Sequence, residues 1–330
     1  MKKKLNWGTL GCANIGDMAV IPAIIAASNA ELYAISEEYA VEKLDAFKKK
    51  FNPKKAYDSY DALLDDPNVD VVHIPQPNSF HKEFVIKAAK KKKHILCEKP
   101  MACTADEVKE MFDAAKENGV LLMEAFGYRH SPVIKKTKEL VDSGIIGKIK
   151  MVESYFDYDM HDLKNVRLNK NIGGGVTYDV GSYNYNFIRY IVGSEPISCY
   201  AIGEIGKDSG VDVNVLTVLE FEGGIMGVSH AAFNCGFRNE YRIMGDQGII
   251  EALDGFNAKG DLKITIKKGD DFFIRGVDYK DIIVDSPDSY MLEIEQFGRC
   301  ILEGEAPLIT EQDTYNTALL IDEVLKQVMK

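Results

Sequence analysis

The six cysteines (Cys12, Cys97, Cys103, Cys199, Cys235 and Cys300) form no CxxC pair, and the six histidines (His73, His81, His94, His130, His161 and His230) show no metal-ligand spacing. A structural metal site is therefore not expected, and a disulfide framework is foreign to so large a chain. The thiols read as reduced and packed, those of a cytoplasmic protein. Long hydrophobic runs are missing as well. The longest, Ala19 to Ala27, falls well short of the roughly 20 residues of a membrane span. Lys2 to Lys4 precede a stretch, Leu5 to Leu10, that is too short and polar for a signal-peptide core, so the chain reads as soluble and unprocessed. Positive charge is in deficit, with 40 basic against 51 acidic side chains and a formal charge of −11, which argues against a nucleic-acid or anionic-membrane footprint. The lysine runs at 2–4, 48–50 and 90–93 carry no interleaved aromatics and read as a solvated terminus and solvated helix faces. With 27 glycines and 10 prolines in 330 residues, collagen-like and low-complexity architectures are excluded, and no internal repeat is visible.

What is present is ordinary globular composition, 46% hydrophobic and 28% charged, in a length that suggests two domains at roughly 150 residues each. The first third alternates short apolar runs with helical periodicity, the pattern of βαβ units on a parallel sheet. Strands are expected at Leu5 to Leu10, Glu31 to Ser36, Val69 to Ile74, His94 to Cys97 and Val120 to Glu124. Helices are expected at Ile15 to Ser28, Val41 to Lys50, Asp61 to Asp65 and Ser79 to Lys92, and a further one is opened by the capping box Thr104-x-x-Glu107 and ended by Gly119. After about residue 126 the period changes. Helices at Pro132 to Ser143 and Gly173 to Ile191 flank a strand at Ile149 to Phe156. Strands then follow one another at Ile197 to Glu204, Val213 to Phe221, Gly224 to Ala232, Glu240 to Met244 and Gly248 to Glu251, with Gly223-Gly224 as a hairpin turn. Strands in succession without helices imply an antiparallel sheet. Helices at Asp288 to Glu303 and Glu311 to Met329 close the chain. The expected fold is thus a doubly wound Rossmann α/β domain over residues 1–125. An α+β domain with a large, mostly antiparallel open sheet follows over 126–330, its final helices free to pack back on the first domain.

Directly after the first strand stands Gly11-Cys12-Ala13-Asn14-Ile15-Gly16. It is GxGxxG with alanine at the second glycine. Such a turn brings backbone amides against a pyrophosphate at a helix N-terminus, and the last glycine permits close packing of helix on strand. An acidic residue about 20 positions on, at the end of the second strand, completes the context that makes a dinucleotide site the better reading over a structural turn. Glu37 or its neighbour Glu38 would accept the adenine-ribose hydroxyls. Neither position carries an arginine for a 2′-phosphate, so NAD is expected over NADP, with NADP possible through Lys43 or another cation.

Glu98-Lys99-Pro100 follows the strand ending at Cys97. Ligands of open α/β sheets bind beyond the carboxyl ends of strands, so Lys99 either meets a substrate there or is merely solvated. The second constellation is Gly173-Gly174-Gly175 running into Asp179 and Tyr183. These two residues share a face if the segment is helical. The glycines suggest a loop that a ligand approaches closely.

Taken together, Gly11-x-Ala13-x-x-Gly16, Pro77-Asn78-x-x-His81, Glu98-Lys99-Pro100, Glu124-Ala125-Phe126-x-Tyr128-Arg129-x-x-Pro132, Ser143-Gly144-x-Ile146-Gly147 and Gly173-Gly174-Gly175 before Asp179-x-Gly181-x-Tyr183 resemble the Gfo/Idh/MocA family of nicotinamide-dependent oxidoreductases. Tyrosine at 183, where inositol dehydrogenase-like members carry histidine, is similar to the branch of glucose-fructose oxidoreductase, xylose dehydrogenases and dimeric dihydrodiol dehydrogenases. Departures are Glu38, where many members have arginine, and the polar Gln76 in Pro75-Gln76-Pro77. The resemblance implies cofactor contacts from Gly11, Ala13, Asn14, Ile15, Gly16, Glu37, Glu38, Pro75, Pro77, Asn78, His81, Glu98 and Lys99. It also implies catalysis by Lys99, Asp179 and Tyr183, and a homodimer or homotetramer formed through the open sheet face.

Oxidation of a carbinol releases a hydride to the nicotinamide and a proton to a base. A free phenol, with a pKa of about 10, is too weak a base until a cation favours its anion. Tyr183 is the expected acid/base, Lys99 its electrostatic partner, and Asp179 a hold on Lys99 or on a sugar hydroxyl. Tyr128, Arg129, Arg167 and Asn184 are candidate substrate ligands, Arg129 being equally readable as an inter-domain ion pair. His81 and His161 read as surface or helix-start histidines. The expected activity is NAD(P)-dependent oxidation or reduction at a hydroxyl or carbonyl of a sugar, polyol or cyclic diol. The alternative is a lyase or glycosidase that uses tightly bound NAD for transient oxidation, and a silent nucleotide-sensing protein ranks last because Lys99, Asp179 and Tyr183 are all present.

Overall fold

The computed structural model describes residues 4–269 and 278–330, and these divide into two compact units, residues 4–130 with 288–315 and residues 131–269 and 278–287 with 316–330. In the first unit the strands are β1 (Leu5–Leu10), β2 (Ala30–Ser36), β3 (Lys55–Tyr57), β4 (Val71–Ile74), β5 (His94–Glu98) and β6 (Leu122–Ala125). The helices are α1 (Ile21–Ala26), α2 (Val41–Phe51), α3 (Tyr60–Asp65), α4 (His81–Lys90) and α5 (Ala105–Asn118). All six strands are parallel in the order β3-β2-β1-β4-β5-β6. The chain therefore winds outward in both directions from β1 and β4, and the crevice at that reversal lies beyond Leu10 and Ile74.

Local chemistry accounts for the boundaries. Thr104 caps α5 by accepting from Glu107 N, while the Glu107 carboxylate reaches back to Cys103 N, one residue earlier than a strict capping box. Gly119 ends that helix in the left-handed conformation. β3 was not expected; three residues pairing at a sheet edge leave almost no periodic signal. Helix α8 (Ser289–Glu303) belongs to this unit and packs on it through Phe297, which meets the fully buried Trp7 edge-on.

The second unit holds α6 (Pro132–Asp142), β7 (Ile149–Asp159), α7 (Ser182–Val192), β8 (Ser198–Ile205), β9 (Asp212–Phe221), β10 (Ile225–Ala232), β11 (Asn234–Gly245) and β12 (Ile249–Ala252). Two strands beyond those expected, β13 (Gly260–Lys268) and β14 (Asp278–Ser286), extend its sheet. Helix α9 (Glu311–Val328) closes the chain. The eight strands run β14-β13-β12-β11-β7-β10-β9-β8. Every pairing is antiparallel except β7 with β10. That exception follows from α7, a crossover that returns β8 parallel to β7 three places away, so that the meander of β9 and β10 closes the gap.

The sheet is two-faced. Along β9, Val215, Thr217, Leu219 and Phe221 are buried toward the side bearing α7, while Leu216 and Val218 are 37% exposed on the other face. Tyr200 and Ile202 of β8 sit opposite Val218 and Leu216 and continue that exposed apolar surface.

Candidate functional site

In the first unit the turn after β1 is built by two anchors. Gly11 has φ +115°, a backbone open to glycine, and an added Cβ there would lie 2.7 Å from Gln76 Nε2. Gln76 in turn donates to Leu10 O at 2.6 Å, locking the carboxyl end of β1 to the turn after β4. Asp17 N bonds Ala13 O at 3.0 Å, so the amides of Asn14, Ile15 and Gly16 lie ahead of the helical ladder and remain available to an anion. Gly16 does not serve close packing as expected, since an added Cβ would meet only Ile21 Cδ1 at an ordinary 3.7 Å; the tight position is Gly8 inside β1, 2.8 Å from Leu63 Cδ2.

Glu37 is buried at the end of β2. One carboxylate oxygen accepts Cys12 N at 2.9 Å; the other accepts Tyr39 N at 3.0 Å and the Tyr60 hydroxyl at 3.3 Å. The acidic residue thus ties the Gly11–Gly16 turn to β2, while the oxygen that takes Cys12 N keeps a lone pair for a further donor. Glu38 instead accepts Tyr60 N at 3.0 Å, at the first residue of α3, whose cap is Ser59. Burial, then the Glu37 charge, push the Cys12 thiol up to about 12, so it is no nucleophile. The positive-ended helix start, the tight glycine and the acidic strand end fit a dinucleotide.

The turn carrying Lys99 is gripped on several sides. Glu98 bonds His73 Nε2 at 3.1 Å, and His73 Nδ1 meets Thr9 Oγ1 at 3.2 Å, linking β5, β4 and β1 in the core. Met101 N donates to Glu124 at 2.8 Å. His81 is fully buried, its Nε2 2.7 Å from Gln76 O and its Nδ1 3.0 Å from Pro100 O and 3.1 Å from Met101 O. His81 is thus not a surface residue but, as the helix-start reading had it, the first residue of α4, and its ring holds the turns after β4 and β5 together from inside. Pro75 is buried, whereas Pro77, Asn78 and Lys99 are partly exposed, and the Lys99–Pro100 peptide is cis.

The second unit holds Asp179 and Tyr183. Thr177–Gly181 forms a π-helical turn that runs straight into α7, the kind of widened turn often found at functional sites. The Asp179 carboxylate accepts the Tyr158 hydroxyl at 2.7 Å and pairs with Arg167 Nε at 2.8 Å. Burial first, then the adjacent Asp179 charge, push the Tyr158 phenol far up, so it is a fixed donor and not a base. The same carboxylate holds Arg167 firmly charged, and the Tyr183 phenol lies within electrostatic reach of that guanidinium. Tyr183 stands among Phe156 and Phe256, each with ring centroids 5.5 Å away, and its hydroxyl accepts from Asn257 Nδ2 at 3.0 Å.

The glycines before this turn pack closely on neighbouring backbone. Gly174 N bonds Asn169 O at 3.0 Å and Gly175 N bonds Arg167 O at 2.8 Å, and a Cβ on Gly174 would lie 2.6 Å from Arg167 O. The loop packs on the backbone of 167–169 and thereby sets Arg167 against Asp179.

The other candidates lie in different surroundings. Asn184 is fully buried, accepting Ser154 Oγ at 2.8 Å and donating to His230 O at 2.9 Å, because one step along α7 turns its side chain from Tyr183 to the sheet. Tyr128 is fully buried against Phe126. Arg129 forms an ion pair with Asp313 at 3.0 Å, but both residues belong to the first unit, so the pair is not inter-domain. His161 is exposed, 3.6 Å from Asp159. Lys99 falls in the first unit, and Asp179, Arg167 and Tyr183 in the second. Asn257, which lies 74 residues beyond Tyr183 in sequence, was missed. Among the described residues no group of His, Cys, Asp and Glu could hold a metal ion, and no helix is long and apolar enough to cross a membrane.

Comparison with known proteins agrees with this layout. Residues 5–126 match the model of the oxidoreductase family with an NAD-binding Rossmann fold, and residues 134–251 match the GFO/IDH/MocA C-terminal domain. The chain belongs to the Gfo/Idh/MocA family of oxidoreductases. It is an NAD(P)-binding member. Over 96% of its length and 95% of the relative's it is 33% identical to D-xylose 1-dehydrogenase (NADP(+)) 2 of Haloferax volcanii. It is 28% identical to trans-1,2-dihydrobenzene-1,2-diol dehydrogenase of Xenopus tropicalis, covering 98% and 97% of the two chains. A 3-ketoreductase of Actinomadura kijaniata, solved with NADP and TDP-benzene, superposes with a TM-score of 0.91 at 24% identity over 99% of this chain and 98% of that one, a likeness of fold.

Proposed function

We propose that the protein transfers a hydride between a carbinol or carbonyl of a sugar, polyol or cyclic diol and a nicotinamide cofactor. The observation that carries the reading is the phenol of Tyr183, within electrostatic reach of the Arg167 guanidinium and with an amide donor on its oxygen. The 33% identity to a xylose dehydrogenase supports the substrate class. When bound, a nicotinamide supplies the hydride acceptor. Tyr183 takes the hydroxyl proton during oxidation and returns it to the carbonyl oxygen during reduction. Lys99 directs positive charge at the substrate oxygen. Asp179 keeps Arg167 in place for neighbouring hydroxyls. NAD is the preferred cofactor in this proposal, because the buried Glu37 carboxylate favours ribose hydroxyls over a 2′-phosphate.

The test is steady-state turnover of Tyr183→Phe and Lys99→Met on a substrate that the wild type oxidises. Loss of 10²- to 10⁴-fold in both is the scale of acid/base and electrostatic catalysis. Full turnover by Tyr183→Phe with loss in Lys99→Met would exchange their roles. The proposal includes a homodimer or homotetramer formed over the exposed Tyr200, Ile202, Leu216 and Val218, so Leu216→Glu should reduce the assembly's mass in light scattering. Six free cysteines support work in the reducing cytoplasm.

A further inference from the structure

We propose that Asn257 is a positioning residue for the acid/base phenol: its side-chain amide holds the Tyr183 oxygen and favours the anionic form of the ring. The inference rests on the reading of Tyr183 as acid/base. Three observations carry it. Asn257 Nδ2 donates to Tyr183 Oη at 3.0 Å. The residue adopts φ +55°, a left-handed backbone that asparagine tolerates better than most side chains. Its Oδ1 is buried without a hydrogen-bond partner among the described residues. Both the backbone and the orphaned oxygen are unfavourable, and together they place one N–H on one phenol, the kind of local cost found at functional sites.

The donor is fixed before any substrate arrives. Asn239 on β11 donates to Phe256 O and accepts from Phe256 N, each at 2.9 Å, and its backbone carbonyl takes Gly255 N at 2.8 Å. Phe256 stacks on Phe156 with centroids 5.7 Å apart, so the loop before Asn257 is clamped by backbone bonds and rings. A donor already aimed at the atom where charge develops requires no reorganisation during the reaction. Among the described residues of this unit, the charged group shown to act on the phenol is Arg167 on the preceding loop, which is itself paired with Asp179 on the π-helical turn, whose carboxylate also takes the Tyr158 hydroxyl of β7. Arg167 supplies charge, and Asn257 supplies a directional bond that does not titrate.

The amide's orientation sets the sign of its effect. With Nδ2 donating, deletion of the side chain makes the phenol harder to ionise; with Oδ1 accepting the phenol proton, deletion would make it easier. Two variants suit the backbone. Asn257→Gly tolerates the left-handed φ, and Asn257→Asp keeps the shape while replacing the donor by an acceptor carboxylate. The protein is labelled with [¹³Cζ]tyrosine, and the Tyr183 resonance is assigned by its loss in Tyr183→Phe. The ring's titration is then followed in the cofactor-free full chain. The expected result is a titration midpoint moved to higher pH in Asn257→Gly and further in Asn257→Asp. In oxidation by the loaded enzyme, kcat at neutral pH falls about tenfold in Asn257→Gly, with KM little changed and the acid limb of the profile, set by ionisation of the base, displaced to higher pH. An unchanged or lowered midpoint in both variants, with wild-type far-UV dichroism, overturns the proposal. Failure of the underlying reading is distinguishable: Tyr183→Phe would then keep full turnover, whatever the titration shows.

Discussion

Replacing Glu37 by glutamine probes the link between the phosphate turn and cofactor choice. In the wild type the two carboxylate oxygens are divided, one accepting Cys12 N and the other accepting Tyr39 N and the Tyr60 hydroxyl. Glutamine has a single acceptor oxygen, so one of the two backbone amides must face an NH₂ donor. An unsatisfied buried N–H costs roughly 1–3 kcal/mol, and the remaining bond loses its charge assistance. Relief of the buried charge offsets part of this, leaving a net loss of about 2 kcal/mol. Urea denaturation followed by far-UV dichroism measures the loss directly. In thermal melts the midpoint should fall by roughly 2–4 °C per kcal/mol for a unit of this size. The same substitution removes a negative charge from the place proposed for the adenine ribose. Titration with both cofactors should show weaker NAD binding and an NADP-to-NAD affinity ratio raised about tenfold, equivalent to about 1.4 kcal/mol. Wild-type stability together with an unchanged ratio would refute both roles of Glu37.

Glu293 is fully buried with no hydrogen-bond partner on either oxygen among the described residues. Burial, then the charge of Glu98, hold its carboxyl well above the ordinary 4.5. The folded state therefore retains a proton that the unfolded state has lost, and stability falls as pH rises above the unfolded value. Glu293→Gln should match the wild type near about pH 4 and exceed it near about pH 8 in urea denaturation; an equal difference at both would contradict this. Asp66 behaves oppositely: burial alone would raise it, but bonds from Asn68 N and the Tyr57 hydroxyl hold it at about 2. Its stabilisation is present above about pH 4 and lost as pH falls toward 2, so Asp66→Asn should be destabilising at neutral pH and equal to wild type at the acid end. Gly174→Ala drives a Cβ into the Arg167 carbonyl and should cost about 1–3 kcal/mol. It should also lower turnover by displacing Arg167 from Asp179, while a variant with unchanged kcat would show that this pair is dispensable.

Much of the first unit was legible because its signals are local. A strand, a tight glycine turn and an acidic strand end lie within 33 residues, Leu5 to Glu37, and Thr104 and Gly119 mark their own helix. The alternation Leu262, Ile264, Ile266 against Lys263, Thr265, Lys267 carried a period-two signal for β13 that the expected set did not include. What could not be read were contacts set by register and rotation. Asn184 follows Tyr183 directly, yet the roughly 100° turn per helical residue sends one to the sheet and the other to Asn257. The bond from Asn257 follows a loop that Asn239 of β11 clamps through Phe256, a contact between positions 17 apart in sequence. His81 looks like a helix-start residue in sequence, and only the approach of the turns after β4 and β5 reveals that it is enclosed.

The central claim is that this chain oxidises sugar, polyol or diol hydroxyls with a nicotinamide cofactor. Purified protein mixed with NAD, and in parallel NADP, across a panel of aldoses, inositols and cyclic diols, with absorbance of the reduced cofactor followed over time, tests it most directly. Turnover with at least one of these classes, faster with NAD and abolished by Tyr183→Phe, is the expected result. Silence across the panel, with cofactor still bound after purification and no net reduction, would contradict it and point to transient oxidation by a tightly held cofactor.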